Sequence, residues 1–121
     1  MQTSVTMVLG ASTNPERYSY MATVMLMEKG HAVYPYGIKK GMIQSLPIVQ
    51  DWPKTSSIAT LTLYLGPTAQ AEYYDQMIAL KPDRIIFNPG TENPRLVELA
   101  HAANISTIEA CTLVMLTTGQ Y

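Results

Sequence analysis

The chain has 121 residues, of which 47% are hydrophobic and 14% charged, and its formal net charge is −1. This length suits one domain over residues 1–121, and the near-neutral charge excludes a general attraction to nucleic acid or to anionic membranes. A single cysteine, together with the lack of a signal-peptide pattern or an apolar stretch long enough for a membrane span, predicts a cytoplasmic protein.

The first part of the chain predicts a strand, a helix and a second strand. Val5–Leu9 is a short β-rich run that ends at Gly10. Apolar residues then recur at the spacing of one helix face, at Tyr18, Met21, Ala22 and Met25. We expect this helix to end at Gly30 and the second strand to cover Ala32–Tyr36.

The rest of the chain repeats this alternation after an irregular stretch, residues 38–57. A third strand is predicted over residues 59–65, followed by a helix that Thr68 caps and whose inner face is Ala69, Tyr73, Met77 and Leu80. A fourth strand, Arg84–Phe87, precedes a helix capped by Asn93, which buries Leu96, Leu99, Ala100 and Ala103. Residues 106–108 form the fifth strand and residues 111–116 begin a final helix.

This alternation predicts an α/β fold, a Rossmann-like three-layer domain with a five-stranded parallel sheet. We expect the strand order 3-2-1-4-5, numbered along the chain. The low charge, with eight methionines and eight tyrosines, indicates additional apolar surface that a homodimer would bury.

The loop between the first strand and the first helix is the strongest candidate binding site. Gly10 is followed by small hydroxyl and amide residues, and a loop of this kind presents backbone N–H groups at a helix N-terminus. Such a place binds phosphate. Ligands of open α/β sheets also lie at the carboxyl ends of the strands, where this loop is expected.

The end of the second strand bears on which nucleotide is bound. An NAD site would carry further glycines after Gly10 and an acidic residue here, whereas the chain has Lys39 and Lys40. This disfavours NAD and leaves NADP and coenzyme A, both of which carry a ribose phosphate.

Residues suited to catalysis are sparse near this edge, and we predict no catalytic residue and no metal ligand. His31 enters the second strand at the opposite end of the sheet, and His101 lies on a helix. The carboxylates form no pair spaced for acid–base chemistry. Cys111 is either a small buried hydrophobe or a thiol that forms a mixed disulfide with coenzyme A.

The sequence Gly-Ala-Ser-x-Asn-Pro-x-Arg-Tyr-Ser at residues 10–19 resembles the opening of the small stand-alone CoA-binding domain proteins. These are related to the N-terminal domain of the succinyl-CoA synthetase alpha subunit. The resemblance continues through Gly-His-x-Val-Tyr-Pro at residues 30–35, Pro67, Gly-x-Glu-Asn at residues 90–93 and Cys111. The chain departs from the family pattern at residues 36–38 and 87–89.

The resemblance implies a coenzyme A ligand whose diphosphate lies on the first loop, with Lys39 near the 3′-phosphate. It implies the cofactor-binding residues Gly10, Ala11, Ser12, Asn14, Arg17, Tyr18, Ser19, Tyr36, Lys39, Leu65, Pro67, Asn88, Gly90 and Thr91. The expected function is the binding of coenzyme A or an acyl-CoA without catalysis. The alternatives are an NADP-type enzyme or subunit and a dimerising interaction domain without a ligand.

Overall fold

The structure is a computed structural model that describes residues 4–54 and 57–121. In chain order its strands and helices are β1 (Val5–Leu9), α1 (Tyr18–Glu28), β2 (Ala32–Tyr36), β3 (Met42–Ile43), β4 (Leu46–Pro47), β5 (Ile58–Leu63), α2 (Pro67–Gln70), a 3₁₀ turn (Ala71–Tyr73), α3 (Tyr74–Leu80), β6 (Arg84–Phe87), α4 (Pro94–Ala102), β7 (Ser106–Glu109) and α5 (Thr112–Thr117). Five strands form one parallel sheet, which confirms the predicted α/β Rossmann-like fold.

The predicted strand order is wrong. The observed order is β2-β1-β5-β6-β7, so the third long strand pairs with β1 and not with β2. The chain after β2 turns back along the outer edge of that strand, where Val49 N donates to Pro35 O at 2.8 Å and Gly37 N donates to Val49 O at 3.1 Å. The next strand therefore lies on the other side of β1. From β1 the chain continues to β2 on one side, and from β5 it continues to β6 on the opposite side. The gap between the ends of β1 and β5 is therefore the topological switch point, where ligands bind in such sheets.

The core has two layers because successive side chains of a strand point to opposite faces of the sheet. On one face, the strand residues pack against α3 and α4, and the buried set includes Met7, Leu9, Leu61, Leu63, Ile85, Phe87, Met77 and Leu96. On the other face, Val8 packs with Leu26 of α1 and Leu116 of α5. Within the described residues, no helix is long and apolar enough to cross a membrane.

Helix α1 buries only part of the predicted face: Ala22 is buried as predicted and Met25 is half-buried. Tyr18 and Met21 are 68% and 37% exposed, and the buried residues are Ser19, Ala22, Thr23 and Leu26. The Thr23 hydroxyl donates to the Ser19 carbonyl at 2.8 Å, so its burial leaves no unpaired group. Because apolar residues lie on all sides of this helix, their spacing does not identify the buried side.

The helix predicted after β5 is interrupted. Gly66, not Thr68, is the residue before α2, and the 3₁₀ turn separates α2 from α3. A 3₁₀ turn has fewer residues per turn than an α-helix, which shifts the buried side. Ala69 is therefore exposed and Gln70 fully buried, whereas Met77 and Leu80 are buried as predicted.

The predicted start of α4 is confirmed. The Asn93 side-chain oxygen accepts from Arg95 N at 3.1 Å and from Leu96 N at 3.3 Å, and Pro94 is the first helical residue.

Candidate functional site

Two adjoining clefts open at the carboxyl edge of the sheet. The first has a volume of about 460 Å³ and lies between the ends of β1, β2 and β5. The second has a volume of about 240 Å³ and lies between the start of α1 and the turn after β6. Both clefts are lined by Gly10, Ser12, Arg17 and Tyr64, so together they form one elongated site.

The structure brings most of the sequence-predicted site residues to these clefts. The first cleft contains Gly10, Ala11, Ser12, Asn14, Arg17, Tyr36, Lys39 and Leu65. The second adds Tyr18, Ser19, Gly90 and Thr91. Pro67 and Asn88 line neither cleft.

The backbone of the first loop is partly used by the fold itself. Gly10 N and Ala11 N both donate to Tyr36 O, at 3.0 and 2.9 Å, and so join the end of β1 to the end of β2. Gly10 has a φ of +106°, and a Cβ there would lie 3.2 Å from the Tyr64 backbone. A glycine is needed here by its conformation and by the close approach of the residue that follows β5.

Further along the loop, Asn14 organises the chain that leads into α1. Asn14 N donates to the Ser12 hydroxyl at 3.1 Å, and the Asn14 side-chain oxygen accepts from Glu16 N at 3.0 Å. Arg17 N donates to Asn14 O at 3.0 Å. Within the described part of the chain, this leaves the backbone N–H groups of Ser12, Thr13, Tyr18 and Ser19 without an acceptor. The free donors thus lie two residues later than the glycine and in the first turn of α1.

Two exposed cations border the clefts. Arg17 directly precedes α1 and lines both clefts, and Lys39 follows β2 and lines the first. Neither side chain forms an ion pair with another residue that the structure describes. The free N–H groups and these cations make the junction of the clefts suitable for an anion.

Tyr64 lines both clefts but is absent from the predicted site residues, because the predicted third strand extends through it. The observed strand ends at Leu63. The Tyr64 hydroxyl is buried without a hydrogen-bond partner among the described residues. Burial raises the pKa of Tyr64 to about 12, and the neighbouring hydroxyls of Thr112 and Thr62 oppose this shift.

Three aromatic side chains form a cluster at the wall of the first cleft. Trp52 and Tyr73 are stacked, with ring centroids 5.5 Å apart and an interplanar angle of 11°. Tyr36 lies edge-on to both, with centroids at 5.2 Å from Trp52 and 5.9 Å from Tyr73. Tyr36 and Tyr73 line the cleft, and Trp52 lies behind them. Burial, followed by a hydrogen-bonding interaction with Tyr73, raises the pKa of Tyr36.

Asn88 occupies a structural position. Its amide nitrogen donates to the Thr62 hydroxyl at 2.6 Å and to Leu63 O at 2.9 Å, and its oxygen accepts from Thr112 N at 2.8 Å. These bonds join β5 and β6 to the start of α5, and they use the polar groups of the side chain within the protein.

The histidines and the cysteine lie outside the clefts. His31 precedes β2, where its ring contacts Tyr121 at a centroid distance of 4.9 Å, and His101 lies 3.0 Å from the Thr107 hydroxyl. Both are at the opposite end of the sheet. Cys111 is half-buried before α5 and lines neither cleft. In the described residues, no group of three or more His, Cys, Asp or Glu side chains could hold a metal ion.

Comparisons with known proteins identify the family and the fold. A family model described as "CoA binding domain" matches residues 4–117. A solved structure described as that of an uncharacterized protein is 39% identical, covers 100% of both chains and superposes with a TM-score of 0.94.

Two more distant structures show the same fold. The Thermus thermophilus protein cell-free ID.343 is 21% identical over 98% of this chain and 91% of its own, with a TM-score of 0.85. A hypothetical protein from Pyrococcus horikoshii OT3 is 23% identical over 97% of this chain and 83% of its own, with a TM-score of 0.83. Among curated proteins, no significant match is found.

Proposed function

The chain belongs to the CoA binding domain family, and from this premise we propose that it binds coenzyme A or an acyl-CoA across the two clefts without a catalytic step of its own. The single observation that carries the proposal is the junction of the clefts. Backbone N–H groups and an arginine meet there, at the topological switch point of the sheet, and none of them has a partner in the described part of the chain.

The diphosphate is proposed to lie over Ser12 and the first turn of α1. Four backbone donors in this region have no acceptor among the described residues, and Arg17 is the cation beside them. The amides of Gly10 and Ala11 hold β2 and are therefore not assigned to the phosphate. By joining β1 to β2, these two residues are proposed to hold the backbone of the first loop close to the ligand.

The two ends of the ligand are proposed to occupy different clefts. Lys39 lines the first cleft but not the second, so the 3′-phosphoadenosine end is assigned to the first cleft. The pantetheine arm is assigned to the second cleft, which Ser19, Gly90 and Thr91 line with small groups and hydroxyls. The thiol end then points away from the cations.

The absence of catalysis is also a proposal. It is supported by the positions of His31 and His101 at the far end of the sheet and of Cys111 outside both clefts. The residues described around the clefts supply donors and cations suited to holding an anion, but no paired carboxylates for proton transfer.

Isothermal titration calorimetry with coenzyme A, NADP and NAD tests the proposed function. We expect coenzyme A to bind more tightly than either dinucleotide. Preference for NADP would support an NADP-type protein instead, and the lack of any binding would support an interaction domain without a ligand.

A variant pair tests the position of the diphosphate. We expect Arg17→Gln to weaken coenzyme A binding by about tenfold or more, because a hydrogen bond to a charged group is lost. Lys29→Gln removes the same charge from the other end of α1 and is the control. Equal affinities of the two variants would remove Arg17 from the site.

A further inference from the structure

We propose that Tyr73, held in place by Trp52, provides the ring on which the adenine base of the ligand stacks in the first cleft. This inference rests on the proposed function and adds a residue that determines which end of the ligand enters the first cleft.

The orientation of Tyr73 is set by its aromatic neighbours. Trp52 covers one face of the Tyr73 ring in a nearly parallel stack, and Tyr36 contacts the ring edge-on. Tyr73 also lines the first cleft, so part of its ring is accessible to a ligand there. The ring is thus fixed before binding, which lowers the entropic cost of stacking.

The segment that carries Trp52 is tied to β2 and to the loop after it by the three residues that precede the tryptophan. Val49 pairs with Tyr36, and the Tyr34 hydroxyl donates to Asp51 O at 2.5 Å. The Gln50 side chain donates to Lys39 O at 3.3 Å. One segment therefore supports both the aromatic cluster and the backbone of Lys39.

The remainder of the first cleft matches a base with attached phosphates. Ile38 and Leu65 provide accessible apolar surface in this cleft, and Arg17 and Lys39 provide the cations. A flat apolar wall next to cations suits a nucleotide better than the flexible, amide-containing pantetheine arm. Stacking accepts any base, so the cluster selects for an aromatic ring rather than for adenine itself.

The test compares coenzyme A with 4′-phosphopantetheine, which lacks the adenosine end, on three variants. We expect Tyr73→Leu to weaken coenzyme A binding by about tenfold and to leave 4′-phosphopantetheine binding unchanged. Tyr73→Phe keeps the ring and is expected to retain coenzyme A affinity within about twofold. Trp52→Phe keeps a smaller stacking partner and is expected to lie between these two.

The single tryptophan gives a second readout that does not depend on affinity. Coenzyme A is expected to change Trp52 fluorescence in the natural protein, and 4′-phosphopantetheine is expected to leave it unchanged.

The ratio of the coenzyme A affinity to the 4′-phosphopantetheine affinity controls for partial unfolding of a variant. Both affinities are measured on the same preparation, so partial unfolding lowers both and leaves their ratio unaltered.

Three results would overturn the inference. If coenzyme A binds Tyr73→Leu as tightly as the natural protein, the base does not stack on Tyr73, and the proposed function still stands. If the variant loses both ligands equally, Tyr73 supports the fold and not the base. If the natural protein binds no coenzyme A, the proposed function fails and this inference fails with it.

Discussion

The side-chain amide of Asn93 donates to the side-chain oxygen of Gln70 at 2.8 Å, and both residues are buried. The Gln70 amide nitrogen donates in turn to Leu65 O at 2.7 Å and to Thr91 O at 2.8 Å. Leu65 lines the first cleft and Thr91 the second. One buried side chain thus fixes the separation of the loops that border the two halves of the site.

The first prediction concerns the stability that Gln70 provides. Gln70→Met removes the hydrogen bonds to the Leu65 and Thr91 carbonyl groups and one of the two that the buried Asn93 amide donates, so we expect the free energy of unfolding to fall by about 2–4 kcal/mol. Urea unfolding measures this change. Gln76→Met, at an exposed position of α3, is the matched control and should alter stability by less than about 0.5 kcal/mol. Similar values for both variants would contradict the role assigned to Gln70.

The second prediction assigns the 3′-phosphate to Lys39. Lys39→Gln should weaken coenzyme A binding by about tenfold and leave the binding of dephospho-coenzyme A, which lacks this phosphate, unchanged. Lys40→Gln is a stringent control, because Lys40 is the next residue, is also exposed and lines neither cleft. Calorimetry with both ligands measures the effect. A loss of affinity for both ligands would place Lys39 at a different part of the ligand.

Much of the fold can be predicted from the sequence because β-rich runs end at glycine, proline or turn residues. The bounds of β1, β2 and β6 are confirmed as predicted. The strand order is not predictable in this way, because it depends on how residues 37–54 run along β2, and their sequence has no regular spacing. Helical spacing also does not identify the buried side of α1, because apolar residues lie on every side of this helix.

The site is predictable where residues directly follow a strand. Charge and loop position suffice to place Arg17 and Lys39 at the carboxyl edge, where they line the first cleft. The position of Tyr64 and Tyr73 is not predictable in this way, because the first falls in a predicted strand and the second on the predicted buried side of a helix. Their place in the clefts depends on where β5 ends and on the 3₁₀ turn, which are properties of tertiary packing.

The third prediction concerns the buried hydroxyl of Tyr64. A buried hydroxyl without a hydrogen bond opposes folding, and Tyr64→Phe removes it while keeping the ring. We expect the variant at pH 8 to be more stable than the natural protein by about 1 kcal/mol, measured by urea unfolding. Tyr20→Phe, which changes a half-buried tyrosine of α1, is the control and should not be stabilised. Destabilisation of Tyr64→Phe would show that the hydroxyl has a partner.

The fourth prediction follows from the pKa of Tyr64, which burial raises from 10.0 to about 12. Between pH 10 and 12 the unfolded chain loses the phenolic proton while the folded protein keeps it, so stability falls as the pH rises through this range. The stability that the raised pKa of Tyr64 contributes is fully present below pH 10 and is lost above pH 12. A difference of two pKa units corresponds to about 2–3 kcal/mol.

Urea unfolding of the natural protein and of Tyr64→Phe at several pH values from 8 to 12 isolates this contribution. Burial also raises the pKa values of Tyr34 and Tyr36, but both residues are present in both proteins, so their effect cancels in the difference. We expect the advantage of the variant to be constant up to pH 10 and to grow by about 2 kcal/mol by pH 12. A difference that stays constant over the whole range would mean that the Tyr64 hydroxyl ionises as readily in the folded protein as in the unfolded chain, and that water reaches it at the junction of the two clefts.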